Sequence, residues 1–113
     1  MRQIQTYDFF SAQSGAADAT SGVFECVYTE LASIQVVWDS LGANDATVHA
    51  EGSNDNSNWT AIDSATITLN PGTGGSDWIP GLDIVGYAFI RLVYTDNSAS
   101  AGTVSAKGVF KAA

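Results

Sequence analysis

Apolar and polar residues alternate with a period of two along most of this chain, in short runs broken by Gly, Asn, Asp and Pro. In "SIQVVWD" Ile34, Val36 and Trp38 share one side, while Gln35, Val37 and Asp39 share the other. "ATVHAE" sets Ala46, Val48 and Ala50 against Thr47, His49 and Glu51, and "SATITL" lines up Ala65, Ile67 and Leu69. "YAFIRLVYT" and "TVSAKGVFK" continue the pattern across "DNSASAG", and "QIQTYDFF" and "GVFECVY" add two runs near the start, the first with an ambiguous face. Successive side chains of a strand point to opposite sides, so each run can bury only one side and needs strand partners and a second layer to do so. No stretch sustains the i, i+3, i+4 spacing of an amphipathic helix.

About eight short strands at this spacing predict an all-β fold, a compact antiparallel β-sandwich of jelly-roll-like connectivity, with an immunoglobulin-like one as the alternative. The two cysteines that flank a tryptophan in immunoglobulin domains are absent, since Cys26 is the only cysteine. The 113 residues suit one domain spanning 1–113. Ile34, Val36, Trp38, Val48, Ile67, Ile90, Leu92, Tyr94, Val104 and Phe110 occupy the apolar phase and are the expected core. "LGAND" and Asn70-Pro71-Gly72 read as turns, and "SAQSGAADATSG" reads as a loop after the first strand.

Charge narrows the functions. The formal net charge is −8 and the basic side chains are Arg2, Arg91, Lys107 and Lys111, too few to form a stripe against nucleic acid or an anionic membrane. No window approaches the roughly 20 apolar residues of a membrane-spanning helix, and "MRQIQTYDFF" lacks the apolar core of a signal peptide, so no membrane partner and no secretion by that route are expected. A single cysteine fits a reducing compartment, and its alternation with Phe24 and Tyr28 marks Cys26 as an inert core residue.

The most polar stretch, "EGSNDNSNWTAID", invites a calcium reading, but it lacks the central Gly and final Glu of an EF-hand loop. Its Ser, Asn and Asp residues suit a turn over Asn54 to Asn58, between a strand ending near Gly52 and one returning from Trp59, with Trp59 expected to cap the core. "NWT" matches a glycosylation acceptor that has meaning only in a secreted protein. His49 falls on an outward strand position and Cys26 on an inward one, which keeps these two from pairing as nucleophile and base. The carboxylates concentrate at strand ends and turns, and Gly72, Gly74 and Gly75 precede neither a helix nor a Lys. No catalytic, metal or cofactor site is therefore expected.

"EGSNDNSNWTAI", followed some way on by "PGLDIVGYAFIRLVYT" and a Thr/Val-rich last strand, resembles the small β-sandwich proteins encoded among bacteriophage and prophage structural genes. These commonly carry an "EGSxDGxNW" turn and a late "YxRVxYT" strand, and the likeness runs from Ala32 to Phe110, with Asn56 standing where a Gly is usual. The resemblance implies a virion structural protein assembled in the host cytoplasm, of capsid decoration, neck, tail or spike type, with itself and other virion proteins as partners. Discoidin-like carbohydrate-binding modules show similar phrases and imply the alternative, a surface glycan stacked on Trp59, Trp78, Tyr87 or Tyr94.

If "YAFIRLVYT" and "TVSAKGVFK" pair as a hairpin, the outer face sets Phe89 beside Val109, Arg91 beside Lys107 and Val93 beside Ser105. An apolar patch around a like-charge pair is unfavourable on a solvated surface. Phe89, Arg91, Val93, Lys107 and Val109 are therefore the candidate subunit interface, with acids of a neighbouring copy neutralising the pair in an oligomer such as a trimer.

Overall fold

The computed structural model describes residues 4–26, 31–41, 46–69, 74–80, 87–96 and 102–111. They form nine strands: β1 (Ile4–Ser14), β2 (Ala19–Thr20), β3 (Phe24–Glu25), β4 (Leu31–Asp39), β5 (Ala46–Ser53), β6 (Thr60–Leu69), β7 (Gly75–Trp78), β8 (Phe89–Asp96) and β9 (Thr103–Lys111). Sheet A has the order β1-β9-β4-β7, and sheet B the order β2-β8-β5-β6 with β3 also on β8. All pairs are antiparallel and they nest: β1 with β9, β2 and β3 with β8, β4 with β7, β5 with β6. Such nesting is one long hairpin. Rolling it up adds the pairs β4 with β9 and β5 with β8, which is a jelly roll. The short β2 and β3 share the place of one strand, so the all-β sandwich has the jelly-roll connectivity rather than the immunoglobulin-like one.

The core lies between the sheets and follows the alternation. Ile34, Val36, Val48, Ile90, Leu92, Tyr94, Val104 and Phe110 are fully enclosed, and Trp38 and Ile67 nearly so. Phe9, Phe10, Phe24, Leu41, Leu69 and Cys26 belong to the same cluster, as do smaller side chains such as Ala46, Ala50 and Ala65. At roughly 25 cal/mol per Å² of apolar surface, burial of such side chains is the main favourable term. Glycine makes room where rings crowd: a Cβ on Gly108 would lie 2.6 Å from Phe110 and 3.0 Å from Phe9.

Two bulges explain where alternation misleads. In β1 the register shifts between Asp8 and Phe10, so the neighbours Phe9 and Phe10 are both buried, the source of the ambiguous face of this run. In β6 Ser64 takes a φ of 64°, which resets the phase between buried Ile62 and buried Ala65.

Three expectations need correction. β8 and β9 are not a hairpin: β8 pairs with β2, β3 and β5, β9 pairs with β1 and β4, and the two lie in different sheets. Jelly-roll wrapping places these two strands, consecutive in sequence, in opposite layers. The "SAQSGAADATSG" segment is not simply a loop, since it carries the end of β1 and all of β2. Trp59 is half-buried on the outside of sheet B rather than capping the core. The expected turns at 42–45 and 70–72, and Tyr28, lie outside the described residues.

Candidate functional site

The proposed interface residues are split between the two outer faces of the sandwich. Phe89, Arg91 and Val93 project from β8 on sheet B, while Lys107 and Val109 project from β9 on sheet A. Arg91 and Lys107 are not neighbours, so the like-charge pair does not exist. Each has a carboxylate on an adjacent strand instead.

On sheet B, Glu51 of β5 lies directly opposite Arg91. One oxygen of Glu51 accepts from Arg91 Nε at 2.8 Å and also lies 2.8 Å from Nη2 in an ion pair, and the other lies 3.2 Å from His49 Nε2. The guanidinium also lies 4.2 Å from the centre of the Trp59 ring, a cation–π contact. Burial pushes the Glu51 carboxyl upward, but hydrogen bonds from His49 and Arg91 and the Arg91 charge outweigh it and hold the group below its ordinary value. The outward His49 predicted from alternation is thus part of a surface network, and it faces away from the core that holds Cys26.

On sheet A a single row crosses all four strands in the order Asp8, Lys107, Gln35, Trp78. Lys107 Nζ lies 3.7 Å from Asp8, a loose pair with both side chains more than half exposed. In the next row Val37 sits between Ser105 and Ser76, diagonal to Trp78. Trp78 is 55% exposed and Val37 47%, unusual for side chains of this size. Gln35, Val37, Ser105, Lys107 and Asp8 line a groove of about 270 Å³ on this face. The sequence showed Val37 in the polar phase, but the exposure of Trp78 depends on its place on the edge strand β7.

The stretch from Ser53 to Asn58 is a turn, as its composition implies. Ser53 Oγ accepts from the backbone N–H of Asp55 and Asn56 and donates to Asp55 Oδ1. Asp55 also accepts from the N–H groups of Ser57 and Asn58 and from the Asn58 side-chain amide at 2.7 Å. Led by the Asn58 N–H, these donors hold the Asp55 carboxyl far below the usual carboxylate range. Asn56, where the resembled pattern has Gly, takes a φ of 58°. Asn is one of the few residues with a side chain that tolerates this region. Beside the turn, the Tyr87 ring lies where a Cβ of residue 52 would be, 2.5 Å from its Cδ1, so only Gly fits there. Tyr87, Ser53, Asn54, Asp55, Asn58 and Thr60 line a groove of about 300 Å³.

Cys26 is buried, its thiol donates to the Tyr87 carbonyl at 3.1 Å, and desolvation by burial pushes its pKa up. Among the described residues no three His, Cys, Asp or Glu side chains converge as metal ligands, and no helix is long and apolar enough to cross a membrane.

No protein-family model matches the chain, and no curated protein matches it. Solved structures do. The SPBc2 prophage-derived protein YomS aligns with a TM-score of 0.66 at 14% identity, covering 99% of this chain and 96% of that one. A chain in the structure of infectious bursal disease virus Gx strain aligns with a TM-score of 0.64 at 11% identity over 98% of this chain, which spans 32% of that chain's length. The Tobacco streak virus coat protein dimer aligns with a TM-score of 0.52 at 8% identity, covering 98% and 84%. The fold is thus the β-sandwich expected from the resemblance, shared with prophage-derived and viral proteins.

Proposed function

We propose that this chain is a non-enzymatic structural subunit of a bacteriophage virion, a capsid decoration or other head- or tail-associated protein, which self-associates and attaches to a larger shell. The observation that carries the proposal is the pair Trp78 and Val37, both about half exposed and diagonal to each other on the outer face of sheet A. An exposed apolar cluster with a polar surround is the usual mark of a protein contact. Lys107 and Val109 belong to the same face, and Lys107 meets an acidic neighbour readily because the chain carries a net charge of −8. The jelly-roll topology supports the reading, because this fold serves as a building block of viral shells.

Phe89, Arg91 and Val93 form a second, separate contact surface in this proposal, one where Glu51 already neutralises Arg91. Size exclusion with light scattering at tens of micromolar, paired with co-sedimentation on phage particles, tests both surfaces. The expected result is an oligomer that binds particles and is dissociated by Trp78→Ser with Val37→Asp. A monomer that fails to sediment with particles would overturn the proposal. Dissociation by Phe89→Asp alone would move the contact to sheet B.

A further inference from the structure

Of the four aromatic side chains that could support a ligand ring, the fold removes three. Tyr94 is fully enclosed and its hydroxyl donates to the Gly15 carbonyl at 2.9 Å. Trp59 carries the Arg91 guanidinium on its ring. Trp78 stands on an edge strand, outside any of the grooves described above. Among the described residues Tyr87 is the one of the four that lines a groove, backed by Gly52 on one side and by the polar turn on the other. At about 300 Å³ the groove lies at the small end of ligand sites, the size of one or two sugar rings.

The hydrogen-bonding groups around Tyr87 are only partly used within the protein. Asn54 Oδ1 accepts from the Ala88 N–H, which leaves its amide NH₂ to donate. Asn58 donates one amide hydrogen to Asp55 Oδ2, leaving the Asn58 carbonyl to accept and the second lone pair of Asp55 Oδ2 open. The exposed Thr60 hydroxyl adds a group that can do either. Among the described residues no Lys or Arg lines the groove, and Asp55 brings a negative charge. An aromatic wall beside amide, hydroxyl and carboxylate groups matches a ring with an apolar face and adjacent hydroxyls. We infer that the Tyr87 groove binds a neutral pyranose, its C–H face against Tyr87 and its hydroxyls against Asn58, Asp55 and Thr60.

Titration of ¹⁵N-labelled protein with glucose, galactose, mannose, N-acetylglucosamine and N-acetylneuraminic acid, followed by amide shifts, tests this. The expected result is saturable shifts of Gly52, Asn58 and Thr60 with at least one neutral sugar and none with the anionic one. Tyr87→Ala should weaken binding about tenfold, the equivalent of roughly 1.4 kcal/mol. Because that variant also uncovers Gly52, Thr60→Val serves as the second probe: it should weaken binding by about three- to tenfold while the melting temperature stays put. Absence of saturable shifts with every neutral sugar, shifts centred on Trp78, or preference for the anionic sugar would each overturn the inference. None of these outcomes depends on particle binding, so the virion proposal stands or falls separately.

Discussion

Gly108→Ala is a test of sign as well as size. Gly108 sits on the central strand β9, opposite Tyr7 and Ile34 in the register, and its φ is not positive, so alanine can adopt the backbone conformation. If only chain entropy mattered, the substitution would stabilise the protein by about 0.4–1 kcal/mol. The added methyl, however, would lie 2.6 and 2.8 Å from two atoms of Phe110 and 3.0 Å from Phe9. Those rings cannot yield cheaply, because Phe110 stacks on Phe24 at 3.8 Å and Phe9 meets Tyr7 edge-on at 4.8 Å. Overpacking of this kind costs about 1–3 kcal/mol, and the upper part of that range applies here, leaving a net loss of about 1–2 kcal/mol. An unfolding entropy of about 2.1 cal/mol/K per residue over 113 residues converts each kcal/mol to about 4 °C, so thermal melts should fall by about 4–8 °C. Combining Gly108→Ala with Phe110→Leu should show a coupling of at least about 0.5 kcal/mol, since the second change relieves the clash. A Gly108→Ala variant that melts at or above the parent would refute the account of how the aromatic cluster packs.

Asn56→Ala should lower stability by about 1 kcal/mol in urea titrations, because alanine resists the φ of 58°, whereas Asn56→Gly should stay within about 0.5 kcal/mol of the parent. The folded-state pKa of Asp55 is depressed, so its contribution is complete above the ordinary carboxylate range and is lost as pH falls below it; Asp55→Asn should flatten the acid limb of melting temperature against pH. Cys26, buried and with its thiol pKa raised, should react with Ellman's reagent at neutral pH only when the protein is unfolded. Chelator should leave the melting temperature unchanged, since the Asp55 oxygens are engaged by turn donors rather than arranged as a ligand set.

The amino-acid sequence by itself determined the fold class, the inward side of the regularly alternating strands β4, β5, β8 and β9 and the turn at Asn54 to Asn58. These are local matters: alternation decides which side chains can leave water together, and Asn, Asp and Ser close a turn with their own side chains. That is why Ile34, Val36, Val48, Leu92 and Val104 could be placed before any partner strand was known. It also suffices to put His49 and Cys26 on opposite sides. Which strands pair is a different matter, because alternation reads the same whether β8 bonds to β9 or to β5. Closeness in sequence argues for a hairpin, yet β8 and β9 lie in different sheets, since the nested wrapping gives β9 two partners, β1 and β4, and leaves β8 to β2, β3 and β5. That choice alone separated Arg91 from Lys107, set Glu51 beside Arg91 with Trp59 against its guanidinium, and placed Trp78 on an open edge. It also brought Tyr87 against Gly52, a residue far from it in sequence. Surface sites made by cross-strand neighbours depend on pairing between distant segments, and only the tertiary structure decides that.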